Sequence, residues 1–338
     1  MINKTKIQII AEAGVNHNGK IALAKKLILS SKQAGADIVK FQIFNSKNFV
    51  SEKAKKAKYQ SKNDKNSNQI EMLKKLELTR KIFDSLYSIS KKNNIEFLAS
   101  LFDFENFDVI KKYNFKRIKV PSGEINNVVY LNKISKFKLP LIISTGGSTL
   151  KEIERCLNWL IHKNKLSLNK ITLLQCNSEY PTPFVDVNLR AMETLKKEFK
   201  TKVGISDHSL GIEVPIAAAA LGASVIEKHI TLNENSKGPD HSASLNSKDF
   251  KIMVEKIRNI EKAMGTGVKI ISPSEKKNIS LIRKSIFAKI DIKKGEYFNE
   301  TNITLKRPAG GLPPIYWEKV INKKAKKYFR KDQMISLK

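Results

Sequence analysis

The stretch IQIIAEAGVNHNG, residues 7–19, decides which kind of α/β fold the chain adopts. Its first half is an apolar run that is typical of a buried strand, and its second half is a polar loop. An open, doubly wound sheet that binds a dinucleotide would place the pattern GxGxxG directly after its first strand. The loop AEAGVNHNG does not match that pattern, so this stretch favours a closed parallel barrel.

Seven more apolar runs follow the first one along the chain. The eight runs are IQIIAE (7–12), DIVKFQ (37–42), IEFLAS (95–100), RIKVPS (117–122), LIISTG (141–146), ITLLQC (171–176), KVGISD (202–207) and SVIEKH (224–229). Amphipathic segments separate them, such as residues 149–163, where Thr149 and Glu152 form the capping-box pattern that starts a helix. Eight strands that alternate with helices over roughly 265 residues predict a (β/α)8 TIM barrel.

The alternation of strands and helices is interrupted once and then ends. A polar, Lys-rich segment at 47–79, which includes Tyr59, predicts either a long excursion on the active face of the barrel or a flexible surface insert. After Gly267 the pattern stops, and short β-like runs later surround a Lys-Gly-Glu turn. We therefore expect a catalytic barrel at 1–267, a linker at 268–283 and a small β-rich domain at 284–338.

The composition limits the classes of partner. The formal net charge is +31, but the lysine runs at 53–58 and 323–327 contain no aromatic residues, so we interpret the charge as solvated lysine faces and expect no nucleic-acid partner. No apolar run reaches the roughly 18 residues of a membrane span. Cys156 and Cys176 lie in apolar contexts, which is typical of reduced thiols. We expect a cytoplasmic enzyme without membrane association that attracts anionic small molecules.

Polar residues stand at the ends of the predicted strands, where barrel enzymes carry their catalytic groups. They are Glu12, Lys40, Gln42, Ser100, Lys119, Ser122, Glu124, Ser144, Ser178, Tyr180, Ser206, His208, Glu227, Lys228 and His229. Two lysines among several hydroxyl groups form a cationic, donor-rich wall that suits a phosphate or a carboxylate.

His208 and His229 end neighbouring strands, so their rings can share one divalent metal. Two imidazoles with positions left open for oxygen ligands suit Mn²⁺ or a similar ion better than a closed zinc site, although either ring can instead be a hydrogen-bonded structural residue. The residues alone predict a barrel enzyme for an anionic, phosphorylated small molecule. The rival interpretation is a Schiff-base aldolase whose nucleophile is Lys40, Lys119 or Lys228.

Nine motifs, in chain order, resemble the sialic acid synthase family. They are AEAGVNHNG (11–19), VKFQ (39–42), KVPSGE (119–124), ISTGG (143–147), EYPTP (179–183), GISDHS (204–209), IEKHITL (226–232), GPDHSAS (238–244) and KRPAGG (306–311). Members of that family condense phosphoenolpyruvate with a 2-acetamido-mannose-type sugar to form nonulosonic acids. The resemblance spans nearly the whole chain and implies a TIM barrel followed by a small antifreeze-protein-like (SAF) domain.

The resemblance also implies roles for individual residues. It implies that phosphoenolpyruvate is bound by Lys40, Ser100, Lys119, Ser122, Ser144, Ser178 and Ser206. It implies that His208 and His229 hold a divalent metal, with Mn²⁺ expected and Mg²⁺ or Co²⁺ as alternatives. It implies that the sugar is bound by Glu12, Gln42, Tyr180 and Asp240, and by Arg307 of the partner subunit in a domain-swapped homodimer. Three positions depart from the family pattern: Ser100-Leu101 replaces Thr-Pro, Gly147 replaces Met, and Ser178 replaces Asn.

The reaction needs a base for the attacking water, and Glu124 is the first candidate and Glu12 the second. We expect an N-acetylneuraminate synthase that condenses phosphoenolpyruvate with N-acetylmannosamine, releasing phosphate, for surface nonulosonic acid biosynthesis. The alternative is an N,N′-diacetyllegionaminate synthase that acts on 2,4-diacetamido-2,4,6-trideoxymannose. Pseudaminate synthase and Schiff-base aldolase rank below both.

Overall fold

The computed structural model describes residues 6–57, 60–61 and 68–337, and the chain divides into two compact units. The first unit ends at Thr266 and the second begins at Gly267. Tyr59, which belongs to the segment at 47–79, lies outside the described residues.

The first unit is built around a closed sheet of eight parallel strands. They are β1 (Gln8–Gly14), β2 (Ile38–Ile43), β3 (Glu96–Leu101), β4 (Ile118–Val120), β5 (Leu141–Ser144), β6 (Ile171–Cys176), β7 (Lys202–Asp207) and β8 (Val225–Thr231). Each strand pairs with the next, and β8 pairs with β1, which closes the barrel; a short strand β9 (Leu245–Asn246) adds to β8. The predicted TIM barrel is confirmed, and each predicted run coincides with one strand. β4 ends before its predicted limit because Pro121 has no N–H group to donate to a neighbouring strand.

Helices connect the strands and pack around the barrel. In the first unit they are α1 (Ile21–Gln33), α2 (Ser46–Phe49), α3 (Gln69–Leu76), α4 (Arg80–Lys92), α5 (Val109–Lys112), α6 (Val128–Ser135), α7 (Leu150–Asn158), α8 (Phe184–Val187), α9 (Ala191–Phe199), α10 (Glu213–Ala220) and α11 (Ser247–Ala263). Apart from α2 and α3, which pack in a separate cluster, their apolar faces join those of the strands in one continuous core. Among the described residues, no helix combines the length and the apolar character that a bilayer crossing requires.

Helix α7 begins at the capping box that the sequence predicts. The Thr149 backbone N–H donates to Glu152 Oε2 at 2.8 Å, and the Glu152 N–H donates to Thr149 Oγ1 at 3.3 Å. These two bonds satisfy backbone donors that have no partner inside the helix. The helix then buries Ile153, Cys156 and Leu157 against the barrel.

The segment after β2 packs around a small apolar cluster of its own. Its buried members are Val15, Phe44, Met72, Leu73 and Leu76. Helices α2 and α3 supply or flank most of this cluster, and Phe44 directly follows the carboxyl end of β2. Helices α2 and α3 therefore form a packed excursion on the active face of the barrel, as the first of the two sequence interpretations expects, whereas the described residues 51–57 between them are mostly exposed.

The second unit has a separate core and little regular structure. Strand β10 (Ser285–Ala288) pairs antiparallel with β11 (Ile303–Lys306), and its helices are α12 (Pro273–Lys276), α13 (Ile279–Ile282) and α14 (Trp317–Val320). Its buried apolar residues are Ile286, Ala288, Ile292, Phe298, Ile303, Val320, Ala325, Phe329 and Ile335. Single β-bridges, such as the one between Ile292 and Phe329, join the remaining segments. A small β-containing unit therefore follows the barrel.

Candidate active site

Strand alternation brings the polar strand-end residues together inside the barrel. In β8, Glu227 and His229 point to one face because side chains two positions apart share a face. Glu12 on β1 lies in register with Lys40 on one side and with His229 on the other. Glu12, Lys40, Glu227 and His229 are each at most 4% exposed, so they form a buried polar cluster at the carboxyl end of the barrel.

Lys40 lies between two carboxylates. Its Nζ is 2.9 Å from Glu12 Oε2 and 3.7 Å from Glu227 Oε2, and it donates a hydrogen bond to Ser100 Oγ at 3.1 Å. Burial by itself lowers the pKa of Lys40, but Glu12 and Glu227 outweigh burial and raise it above its ordinary value. Lys40 is therefore a fixed cation, and an anionic ligand that replaces one of these carboxylates would find a charged donor in place.

Lys119 enters the same cluster from β4. Its Nζ donates to Ser144 Oγ at 2.7 Å and lies 3.5 Å from Glu227 Oε1. Burial lowers the pKa of Lys119, and Glu227 opposes that shift. Lys40, Lys119, Ser100 and Ser144 thus line one pocket with two amines and two hydroxyl groups, as the sequence predicts for a phosphate or carboxylate.

Glu227 is a residue of this pocket that the sequence analysis did not assign. It accepts a hydrogen bond from Ser206 Oγ at 2.8 Å and contacts both Lys40 and Lys119. Burial favours the neutral acid, but Lys119 and Lys40 lower the pKa of Glu227 to about 2. The available signal was its position two residues before His229, which puts both side chains on the inner face of β8.

His208 and His229 lie side by side, with ring centroids 5.4 Å apart. Tyr180 stacks on His208 at 4.0 Å and meets His229 edge-on at 5.5 Å. His208 Nδ1 lies 2.5 Å from the carbonyl oxygen of Asn177, so Nδ1 carries the hydrogen and Nε2 keeps its lone pair. Burial lowers the pKa of His208 to about 4, and burial together with His208 lowers that of His229 well below its ordinary value.

The two imidazoles fit a shared divalent ion. Both are neutral near pH 7, as metal binding requires, and the buried Nδ1 of His229 has no hydrogen-bond partner. The Asp240 carboxylate lies 3.8 Å from that nitrogen. Within the described part of the chain, no group of three or more His, Cys, Asp or Glu residues has the spacing of a metal site. An ion held by His208 and His229 would therefore need oxygen ligands from water or substrate, which leaves coordination positions for chemistry.

Glu12, Gln42 and Asp240 line the side of the pocket next to the histidines. Gln42 Nε2 donates to Glu12 Oε1 at 3.3 Å. Burial raises the pKa of Glu12, and burial together with the Glu12 charge raises that of Asp240 to about 7. Gly14 adopts a positive φ of +50° beside this wall, where an added Cβ would lie 3.2 Å from Glu12 Oε1 and 3.5 Å from His229 Cε1. Polar acceptors and donors on this side suit the hydroxyl groups of a sugar.

Four predicted site residues have other surroundings. Ser122 lies near Gly146, since a Cβ added at Gly146 would be 3.4 Å from Ser122 Oγ. Ser178 is exposed. Glu124 is half-buried and accepts a hydrogen bond from Asn127 Nδ2 at 2.6 Å, and burial raises its pKa. Arg307 belongs to the second unit and is exposed.

Lys228 points away from the pocket. It is fully buried on the outer face of β8, where its Nζ lies 2.6 Å from Asp207 Oδ2 and donates to the carbonyl oxygen of Ser209. Its neighbours Glu227 and His229 occupy the inner face. Of the three lysines considered for a Schiff base, Lys228 therefore lies outside the pocket that holds Lys40 and Lys119.

Comparison with protein-family models places the barrel in a known group. The model described as the NeuB family matches residues 27–269, and the SAF domain model matches residues 283–338. The chain belongs to the NeuB family. The sequence-based resemblance to sialic acid synthases is thereby confirmed, and so is the presence of a SAF domain after the NeuB barrel.

Relatives of this NeuB-family chain include proteins with named activities. An N,N′-diacetyllegionaminic acid synthase of Campylobacter jejuni is 52% identical over 98% of this chain and 99% of its own. An N,N′-diacetyllegionaminic acid synthase of Legionella pneumophila is 44% identical over 90% of this chain and 86% of its own. Among solved structures, an N-acetylneuraminic acid synthetase of Leptospira borgpetersenii, crystallised with citrate, is 34% identical with a TM-score of 0.72, over 82% of this chain and 91% of its own.

Proposed function

We propose that this protein is a phosphoenolpyruvate-dependent nonulosonic acid synthase that makes N,N′-diacetyllegionaminate from 2,4-diacetamido-2,4,6-trideoxymannose. The observation that carries the reaction class is the buried pocket in which two lysines adjoin two neutral histidines. The relatives support the choice of sugar, because this chain is more similar to two legionaminate synthases than to the neuraminate synthetase. The expectation of N-acetylneuraminate as the product is therefore replaced by its alternative.

Phosphoenolpyruvate would bind on the lysine side of the pocket. Lys40 and Lys119 supply charge-assisted donors, and Ser100, Ser144 and Ser206 supply hydroxyl groups around them. Ser122 lies near the Ser144 side of this wall, while Ser178 would need to turn inward from its exposed position.

The sugar would bind on the histidine side. Glu12, Gln42 and Asp240 would bind its hydroxyl and amide groups, and the Tyr180 ring would close the space over the histidines. We propose that His208 and His229 hold a divalent ion, with Mn²⁺ as the first candidate and Mg²⁺ or Co²⁺ as alternatives. When bound, such an ion supplies Lewis-acid polarisation of a carbonyl oxygen.

In the reaction, the methylene carbon (C3) of phosphoenolpyruvate forms a C–C bond to the aldehyde carbon of the sugar, and C2, which carries the phosphate oxygen, becomes electron-poor. The new alkoxide takes up a proton, and we propose Asp240, which lies 3.8 Å from His229 Nδ1, as the candidate donor, since burial and the Glu12 charge raise its pKa to about 7. Water then adds at C2 and gives a proton to a base, and phosphate leaves with cleavage of the C2–O bond, which leaves a ketone at C2. Glu12 lies within the pocket, and Glu124, the other candidate base for water, is half-buried beyond the end of β4. Holding both substrates in one site supplies orientation.

Arg307 and the oligomeric state belong to the same proposal. We propose a domain-swapped homodimer in the cytoplasm, in which Arg307 of the partner subunit reaches the N-acetyl group of the sugar. Arg307→Ala should then raise the KM of the sugar much more than the KM of phosphoenolpyruvate, and light scattering should give twice the chain mass. Unchanged kinetics or a monomeric mass would overturn this part.

The decisive experiment offers the protein phosphoenolpyruvate, Mn²⁺ and one sugar at a time. The sugars are 2,4-diacetamido-2,4,6-trideoxymannose, N-acetylmannosamine and the precursor of pseudaminate, and the readouts are phosphate release and product mass. We expect the first sugar to give the largest kcat/KM. A preference for N-acetylmannosamine would identify a neuraminate synthase. If no phosphate is released with any of the three sugars, the proposed reaction is overturned.

A further inference from the structure

The loop after β8 carries Asp240 and is held by the loop after β1. The first loop comprises residues 232–244 and the second comprises residues 15–19. Both leave the barrel next to each other, because β1 and β8 are paired strands. The side chains that join the two loops have no role in the binding of either substrate as proposed above.

Asn16 makes the first connection. Its side chain is buried, and Nδ2 donates to the carbonyl oxygen of Ile230 at 2.9 Å and to Ser244 Oγ at 2.8 Å. Ser244 Oγ in turn donates to the backbone carbonyl oxygen of Asp240 at 2.6 Å. A continuous hydrogen-bond path therefore runs from the loop at residues 15–19 to the backbone of Asp240.

Asn18 and His241 make the second connection. Asn18 Nδ2 donates to the carbonyl oxygen of Lys237 at 2.8 Å, so its Oδ1 is the acceptor that faces His241 Nε2 at 3.2 Å. His241 Nε2 must then carry the hydrogen, which leaves Nδ1 to accept from Thr231 Oγ1 at 2.7 Å. Both polar atoms of Asn18 thus join the loops, and His241 connects Asn18 through Nε2 to the end of β8 through Nδ1.

Gly238 shows how closely the two loops approach. Its φ is +151°, and an added Cβ would lie 2.6 Å from His241 Cδ2 and 2.7 Å from Asn18 Oδ1. A side chain at this position would have to displace the contact between Asn18 and His241. The lack of a side chain at Gly238 therefore allows the contact between Asn18 and His241 to form.

We propose that Asn16, Asn18 and His241 are positioning residues that hold Asp240 beside His229 for the sugar. The proposal rests on the function proposed above, in which Asp240 faces the sugar. Lys119 and Ser144, which face phosphoenolpyruvate, extend from β4 and β5, whereas the two loops follow β1 and β8. Loss of the hydrogen bonds between the two loops should therefore weaken binding of the sugar and leave phosphoenolpyruvate binding intact.

Asn18→Gly tests the proposal with a matched control. Asn18 has a positive φ of 48°, which glycine adopts without strain, so the substitution removes the side chain alone. Asn94 has a φ of 51° and an exposed side chain, so Asn94→Gly makes the same backbone change far from the loops. We expect Asn18→Gly to raise the KM of the sugar at least tenfold and to change the KM of phosphoenolpyruvate less than twofold, while Asn94→Gly matches the wild type.

Hydrogen–deuterium exchange gives a readout that does not depend on turnover. Residues 233–244 should exchange faster in Asn18→Gly and in His241→Phe than in the wild type, while β4 and β5 stay unchanged. The double variant should raise the sugar KM by less than the product of the two single increases, because both changes break the contact between Asn18 and His241.

The outcomes separate the two proposals. A wild type that turns over no sugar overturns the proposed function. If the wild type is active but Asn18→Gly and Asn94→Gly have the same KM for the sugar, the positioning role is overturned. Equal increases in both KM values, or exchange that rises throughout the barrel, would also overturn it, since they indicate general destabilisation.

Discussion

At the scale of single residues, the pocket depends on a carboxylate at its base. Glu227 contacts Lys40 and Lys119 and accepts a hydrogen bond from Ser206, so it determines where three anion-binding groups point. A buried anion beside a site for an anionic substrate opposes binding through repulsion. Its benefit is that both amines stay charged and oriented before the substrate arrives.

Glu227→Gln should shift the pH dependence of phosphoenolpyruvate use. Glu227 raises the pKa of Lys119 against the effect of burial, so the amide leaves a still lower pKa for Lys119. Lys119 binds an anion only when protonated, and the protonated fraction falls as pH rises through its pKa. The alkaline loss of kcat/KM for phosphoenolpyruvate should therefore move to lower pH, and the maximum should fall by about 10-fold or more.

Profiles of kcat/KM between about pH 6 and pH 9 check this prediction. Glu255→Gln, at an exposed position of α11, is the matched control and should leave the profile unchanged. Superimposable profiles for Glu227→Gln and wild type would show that Glu227 does not govern Lys119.

The thiols of Cys156, which is buried, and of Cys176, which is partly buried, should resist alkylation. Burial raises the pKa of Cys176 from 9.0 to about 11 and that of Cys156 to about 12. At pH 8 the thiolate fraction of Cys176 is then about 100-fold below that of an ordinary thiol, because each pKa unit is a factor of ten. Iodoacetamide should label the native protein at least tenfold more slowly than the urea-unfolded protein, as mass spectrometry can measure. Equal rates would contradict the raised pKa of both thiols.

At the scale of elements, an ion pair on the outer face of the barrel fixes β7 against β8. Lys228 and Asp207 are at most 2% exposed, and Asp207 Oδ1 also accepts from the backbone N–H and the hydroxyl group of Ser209. Each member of the pair directly precedes a strand-end histidine, since Asp207 precedes His208 and Lys228 precedes His229. The ion pair therefore helps to set the spacing of the two imidazoles on the inner side.

Lys228→Met should destabilise the protein by roughly 3–5 kcal/mol, because it leaves the Asp207 carboxylate buried without its cation. Urea unfolding measures this change. Lys251→Met, at an exposed position of α11, should stay within about 0.5 kcal/mol of the wild type. The double variant Lys228→Met/Asp207→Asn should recover part of the loss, and a Lys228→Met variant as stable as Lys251→Met would contradict the argument.

The elements were predictable where the signal is local. Continuous apolar runs such as IQIIAE and ITLLQC marked the strands, and Thr149 with Glu152 marked the start of α7. Glu227 was missed because its role requires strand register, which brings it to Lys40 and Lys119 from distant parts of the chain. The contacts of Asn16 and Asn18 with the loop after β8 join residues more than 210 positions apart, and no local pattern encodes them.

At the scale of the whole molecule, the net charge and the pocket are separate features. The buried lysines among the described residues are Lys40, Lys119 and Lys228, and each lies near a carboxylate. Among the described residues, the excess of positive charge therefore lies outside the buried core, where it raises the local concentration of anionic substrates without deciding which one is used.

Metal removal tests the histidine pair in the whole protein. After treatment with EDTA, addition of Mn²⁺ should restore turnover and raise the Tm, because a ligand that binds only the folded state stabilises it. His208→Ala and His229→Ala should abolish both effects, since each removes one of the two imidazoles. Full turnover after exhaustive chelation, or the same Tm increase in both variants, would contradict a metal at these residues.

The pairing of the first strand with the last has a consequence for synthesis on the ribosome. Glu12 on β1 lies in register with His229 on β8, more than two hundred residues later. A nascent chain that lacks β8 has neither Glu227 nor His229, and β1 and β7 are open edges that attract other strands. Until β8 has emerged from the exit tunnel, the growing polypeptide is inactive and prone to aggregate, so its productive maturation is expected to depend on chaperones that shield those edges.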